Sequence, residues 1–121
     1  MACDFLHVNR YNKIVLAQID KERILDAPAI KSLSDDLLKL VDTNPKISLV
    51  LDMSKVGYLS SQVLGKLVAV HKQVLKSKGR LAVCGVQKNV RPLFEVTKLN
   101  KVLTMFDDAQ EAILLYQRKP L

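Results

Sequence analysis

The paired hydroxyls of Ser60 and Ser61 are the side chains in this sequence whose type and setting most invite chemistry. They lie in the stretch Ile47 to Lys66, where an apolar strand runs through a short polar turn into a helix. At a helix start the backbone N–H groups point outward without intrahelical partners. A hydroxyl held there suits acceptance of a regulatory phosphate better than turnover of a substrate. The plain alternative is that Ser60 or Ser61 serves only as the N-cap of the helix, a role serine fills in very many helices. The residues alone weigh the two about evenly.

Other candidate chemistry is thin. Asp52 ends the strand and could be a catalytic carboxylate, but an Asp followed by Met53-Ser54-Lys55 more often bonds its own turn. His7 and His71 have no Cys, His or carboxylate at ligand spacing, and His71 falls in an apolar helix stripe, so packing outweighs metal binding. Gly57 and Gly65 are not followed by the Lys-Ser or Lys-Thr pair of a phosphate-cradling loop. No nucleophile, base and oxyanion donor can be assembled, so the expectation is no enzyme, no cofactor and no metal. Cys3 and Cys84 lie in unrelated contexts, and Cys84, inside the apolar run Leu81 to Val86, reads as a buried structural thiol.

With 121 residues the chain has room for one core, and no Pro/Gly/Ser-rich stretch divides it, so residues 1–121 read as a single domain. No apolar run is long enough to span a bilayer, and Met1 to Phe5 has neither the basic start nor the apolar segment of a secretory signal. The expected compartment is the cytoplasm, without a membrane partner. The net charge of +7 is uneven: six Lys/Arg stand against seven Asp/Glu up to Asn44, and thirteen against five from Pro45 onward. A basic half favours an acidic partner. Few aromatics accompany it and the lysines recur at helical spacing, so a solvated face meeting an acidic protein surface outweighs nucleic acid.

The elements that must position the serines follow from periodicity. Phe5 to Val8 and Ile14 to Ile19 are β-prone runs around the turn-like Asn9-Arg10-Tyr11-Asn12, which predicts an antiparallel hairpin. Asp26 caps a helix with Pro28 in its first turn, Ile30, Leu33, Leu37 and Leu40 or Val41 on one face, and an end before Asn44-Pro45. Ile47 to Leu51 and Leu81 to Cys84 read as strands covered on both faces. Between them a helix from near Ser61, ended by Gly79, presents Val63, Leu64, Leu67, Val68, His71, Val74 and Leu75. Strand, helix and strand make a parallel βαβ crossover. Val90 to Leu99 reads as a short helix and Val102 to Phe106 as a strand. Asp107, with Gln110, reads as the capping box of a last helix with Ala109, Ala112, Ile113 and Tyr116 inward. The result is an α/β domain with a mixed sheet of about four or five strands and about four helices.

Four segments in this order carry a family resemblance: RILDAP at Arg23 to Pro28, LVLDMSKVGYLSS at Leu49 to Ser61, GRLAVCGV at Gly79 to Val86, and VRPLFEVTKLNKVLTMFDDAQEAI at Val90 to Ile113. Over nearly its whole length the chain resembles the STAS domains of bacterial anti-sigma-factor antagonists and of sulfate transporters. With no transmembrane segment ahead of it, the resemblance implies a free-standing switch protein. It implies phosphorylation of Ser60, beside Ser61, by a kinase that is also the anti-sigma factor, an ATPase of histidine-kinase-like type. It further implies that the unphosphorylated form binds the kinase and frees its sigma factor, and that a serine phosphatase resets the switch. The family's Asp-Ser-Ser-Gly turn is altered here, with Leu59 in the acid's place and Gln62 in the glycine's. The contact surface expected is Lys55, Val56, Tyr58, Ser60, Ser61, Gln62 and Lys66. Two alternatives stand beside it: an unphosphorylated scaffold that oligomerises with other STAS domains, and a nucleotide- or small-ligand-binding domain using the carboxyl ends of the parallel strands.

Overall fold

In the computed structural model, which describes residues 3–120, the sheet is organised around two strands with almost no polar face. β4 (Ser48–Asp52) is buried at every position and β6 (Arg80–Cys84) at all but its first, as expected of parallel strands covered by helices on both sides. With β1 (Leu6–Tyr11), β2 (Ile14–Ile19) and β7 (Thr104–Phe106) they form a five-stranded sheet in the order β1-β2-β4-β6-β7. β1 pairs antiparallel with β2, from Leu6 opposite Ile19 to Tyr11 opposite Ile14. The remaining pairs are parallel. The expected mixed sheet with an N-terminal hairpin is therefore present. Its turn is shorter than the sequence suggested: β1 continues through Tyr11, and Asn12-Lys13 alone reverse the chain. Asn12 takes a left-handed φ of 59°, which asparagine tolerates in a two-residue hairpin.

Helix α1 (Ala27–Thr43) starts as its sequence requires. Asp26 Oδ2 accepts the Ala29 N–H at 3.1 Å, Pro28 lies in the first turn, and Ile30, Leu33, Leu37 and Val41 turn into the core. Helix α2 (Ser61–Lys76) lies beside it on the same face of the sheet and buries Val63, Leu64, Leu67, Val70 and Val74. Leu75 was expected in this stripe, yet it is exposed, and Val68 and His71 are only half-buried. The buried arc is narrower than the run of apolar letters because neighbouring residues are about 100° apart on a helix. The end of α2 also differs in detail. Gly79 N–H bonds to Val74 O at 2.9 Å and Lys78 N–H to Leu75 O at 3.0 Å, so the left-handed residue is Lys78, with φ 63°. Gly79 is required for another reason: a Cβ there would stand 2.4 Å from Ile47 O.

The C-terminal third holds one helix more than expected. Val90 to Leu99 divides into α3 (Arg91–Val96) and α4 (Leu99–Val102), because Lys98 adopts φ 61° and breaks the ladder between them. Helix α5 (Ala109–Arg118) covers the opposite face of the sheet, packing Ala112 and Tyr116 against Ile14, Leu16, Val50, Ala82 and Cys84. Its cap is Asp108 rather than Asp107. Asp108 Oδ1 accepts the Glu111 N–H at 2.8 Å, and Glu111 stands three residues on as a capping box demands. Two consecutive aspartates made the register ambiguous by one. A further feature went unread in the sequence: β3 (Arg23–Ile24) and β5 (Tyr58–Leu59) form a separate two-stranded parallel ladder.

Candidate functional site: the start of helix α2

Ser60 is held from three sides. Its N–H donates to Ile24 O at 3.0 Å, its Oγ accepts the Gln62 N–H at 3.2 Å, and its C=O accepts the Val63 N–H at 3.0 Å. With φ −74° and ψ 144° it is the N-cap of α2, and it is half-buried. Ser61 is the first helical residue and is exposed. The capping role is thus occupied by Ser60, and Ser61 takes no part in it.

The small β3–β5 ladder fixes where this helix start sits. Leu59 pairs with Ile24, and both are buried in the core that α1 and α2 share with the sheet. An apolar residue at position 59 therefore fills core. Gln62 is exposed at the second position of α2, so its long side chain runs into solvent rather than into the turn. Tyr58, paired opposite Arg23, is 46% exposed, and the Arg23 guanidinium lies over its ring at 4.3 Å from the centroid. That stacking presents an aromatic face and a cation together.

The turn between β4 and β5 is braced from both flanks. Asp52 is buried and fully engaged: Oδ1 accepts the Ser54 N–H at 2.9 Å and Oδ2 the Gln18 Nε2 at 3.3 Å. The carboxylate holds its own turn, as the sequence indicated. From the loop after β6, Gln87 Nε2 donates to Ser54 O at 2.7 Å and Asn89 Nδ2 to Gly57 O. Gly85 makes this approach feasible, with φ 71° and a would-be Cβ 2.9 Å from Ser54 Cβ. From the other flank, the N–H groups of Gly57 and Tyr58 both donate to Glu22 O, at 2.8 and 3.0 Å.

Of the residues expected at a contact surface, Lys55, Tyr58, Ser61, Gln62 and Lys66 are exposed, and Ser60 is half-buried among them. Val56 is not part of that surface: its exposure is 0%, and it packs under the turn with Met53. Lys55 is partly committed, with Nζ 3.4 Å from Asp20 Oδ1, a carboxylate that His7 Nε2 also approaches at 3.3 Å. Sequence reasoning missed Arg23 and Leu25, the latter 50% exposed beside the ladder. The signal for them was the β3–β5 pairing, which two-residue strands do not announce. No Asp or Glu occurs between Asp52 and Glu95, a span that carries eight Lys/Arg.

Elsewhere the described residues offer little reactive chemistry. No group of three His, Cys, Asp or Glu among them could hold a metal ion. Cys3 and Cys84 are both buried free thiols. Burial pushes the Cys84 thiol up to about 12, and the carboxylates of Asp52 and Asp108 act in the same direction, so its nucleophilic form is suppressed. Burial likewise raises the Tyr116 phenol, opposed by the Arg80 guanidinium stacked 3.9 Å from its ring centroid. At the carboxyl ends of β6 and β7 a cleft lined by Val86, Arg91, Phe94 and Phe106 measures about 170 Å³. That is below the roughly 300–1,000 Å³ of ordinary small-molecule pockets. No helix of the described residues is long and apolar enough to cross a membrane.

The sequence profile of the STAS domain family matches residues 6–112. The chain belongs to that family. Among curated proteins, one from Bordetella bronchiseptica named "Putative anti-sigma factor antagonist BtrV" is 23% identical over 94 residues, covering 78% of this chain and 80% of its own. Among solved structures, an anti-sigma-factor antagonist (STAS) domain protein from Planctomyces limnophilus superposes with a TM-score of 0.82 at 19% identity, over 95% of this chain and 98% of that one. SpoIIAA in its unphosphorylated form gives 0.74 at 13% identity, over 96% and 98%, and its phosphorylated form, from Bacillus, is also similar. At these identities the structures show the STAS fold.

Proposed function

We propose that this STAS domain, as a single domain over residues 1–121, is a non-enzymatic protein-binding switch of the anti-sigma-factor-antagonist type. The observation that carries the reading is Ser60: a hydroxyl at the N-cap of a 16-residue helix, on a turn fixed by two flanking loops and bordered by exposed Tyr58, Gln62 and Lys66. Its partner is a serine kinase that doubles as the anti-sigma factor, an ATPase of histidine-kinase-like type, acting in the cytoplasm. The contact surface comprises Lys55, Tyr58, Ser60, Ser61, Gln62 and Lys66, joined by Arg23 and Leu25, with Val56 supporting it from below.

A phosphate on Ser60 Oγ would lie against the N–H groups at the start of α2, where the helix dipole favours negative charge. The modification then changes the surface without unfolding the domain: the dianion occupies the place where a partner's side chains must pack. A phosphatase restores binding. The names of the relatives support this reading, since BtrV is named as an antagonist and SpoIIAA exists in phosphorylated and unphosphorylated forms. Affinity capture from the native lysate with wild-type, Ser60→Ala and Ser60→Asp baits tests it. Recovery of a histidine-kinase-like ATPase by the first two baits and not by Ser60→Asp is expected. Equal recovery by all three would reduce Ser60 to a helix cap.

One observation favours a second reading. Leu59 fills core in place of the family's acid, which removes a charge that a kinase could recognise. A scaffold that oligomerises with other STAS domains, without phosphate turnover, retains the same surface.

A further inference from the structure

The edge of the sheet opposite Ser60 carries a second surface of different character. Three of the four chain reversals at the amino ends of the parallel strands present a lysine: Lys13 in the β1–β2 turn, Lys46 before β4 and Lys78 before β6. The helices that end at this edge add Lys76 from α2 and Arg118 and Lys119 around the end of α5. That α5 ends here is fixed by Arg80 at the start of β6, which donates to Tyr116 O at 3.1 Å and to Lys119 O. None of these six cations lies within ion-pair distance of a carboxylate among the described residues. Asp42, in the last turn of α1, accepts from Gln73 Nε2.

Two further details mark this end. Lys46 and Lys78 both adopt left-handed backbone, φ 58° and 63°, where asparagine or glycine would be less strained. Their turns abut, since the Lys46 N–H donates to Ser77 O at 3.1 Å. The cations are also accompanied by exposed apolar groups, Tyr11 at the end of β1 and Leu75 in the last turn of α2, 44% and 56% exposed. Tyr11 is the aromatic residue among these cations, so this end lacks the row of stacking platforms that a nucleic-acid strand needs; clustered cations with an apolar rim suit an anionic lipid surface better.

We infer that this edge docks on an anionic lipid bilayer, its lysines at the headgroups and Tyr11 and Leu75 at the interface. The sequence had suggested no membrane contact because no apolar run spans a bilayer. Peripheral binding needs only the clustered charge and apolar rim that the fold assembles. Docked this way, the Ser60 surface at the other end faces away from the lipid, so the inference stands independently of the proposed function.

Sedimentation with vesicles of phosphatidylcholine alone, or mixed with phosphatidylglycerol, tests it at low and physiological salt. Binding to the anionic vesicles only, weakening with salt, is expected. The double variant Lys46→Asn/Lys78→Asn removes two charges while easing the backbone. Its partitioning should fall roughly 25-fold, from about five-fold per cation, with its urea midpoint unchanged or higher. Leu75→Ser should weaken vesicle binding and leave retention on duplex DNA unaltered. No binding of the wild type to anionic vesicles would overturn the inference. So would equal binding by the double variant, or salt-sensitive retention on duplex DNA without vesicle binding.

Discussion

At Ser60 one side chain serves both as a helix cap and as the proposed phosphate acceptor, and the two roles respond differently to substitution. Ser60→Ala removes the bond from Gln62 N–H and should cost about 1 kcal/mol in urea unfolding. Ser60→Asp retains a good cap and should stay within about 0.5 kcal/mol of wild type. Ser61→Ala, at an exposed first helical position, should be nearly neutral. A loss of binding by Ser60→Asp without a loss of stability would therefore reflect charge and not unfolding. Cys84 gives a pH signature of its own. The native thiol holds its proton up to about 12, whereas an unfolded thiol releases it near pH ~8.5. The native state binds more protons between these limits, so this group's contribution is full below the unfolded value and is lost as pH rises toward the native one. Cys84→Ala should flatten the fall of the urea midpoint between about pH 8 and about pH 10.

At the scale of elements, the cap of α5 separates two readings of one sequence. Asp108→Ala should cost about 1 kcal/mol, and Asp107→Ala, whose carboxylate only approaches Arg91 at 3.9 Å, should cost a few tenths at most. A larger effect at Asp107 would restore the register first inferred from Gln110. The brace behind Ser60 has its own test: Gly85→Ala places a methyl against Ser54 in a left-handed residue and should destabilise by roughly 2 kcal/mol or more. Much of this architecture is legible in the sequence. β4 and β6 are uninterrupted apolar runs, and α1 announces itself by Asp26, Pro28 and the spacing of Ile30, Leu33 and Leu37. What escaped has physical reasons. β1 is exposed along nearly all its length and shows no alternation, so its end at Tyr11 could not be seen. The α3–α4 break depends on one left-handed lysine, Lys98, which no propensity foretells. At the site, Ser60 and its exposed neighbours were readable, but Val56 was misplaced on the surface because turn residues inside a polar stretch rarely pack as core. Arg23 and Leu25 join Tyr58 only through a two-residue ladder.

At the scale of the whole molecule, the two ends of the sandwich differ in character. The carboxyl ends of the parallel strands carry Ser60 on a braced turn, and the amino ends carry lysines that have no carboxylate partner among the described residues. The sheet and the α1–α2 layer between them are continuous apolar core, so a charge added at Ser60 should leave the global fold intact. Amide exchange of a Ser60-phosphorylated sample should differ from that of the unmodified protein only around residues 54–66 and the facing loop 85–90. Phosphopeptide mapping of this chain isolated from its own cells, with and without activity of any kinase recovered by the Ser60 baits, tests the proposed switch most directly. A phosphate confined to Ser60, appearing only when the kinase is active and absent from kinase-bound protein, is the predicted result. An unmodified Ser60 under both conditions, or a phosphate on Ser60 in protein still bound to the kinase, would contradict it.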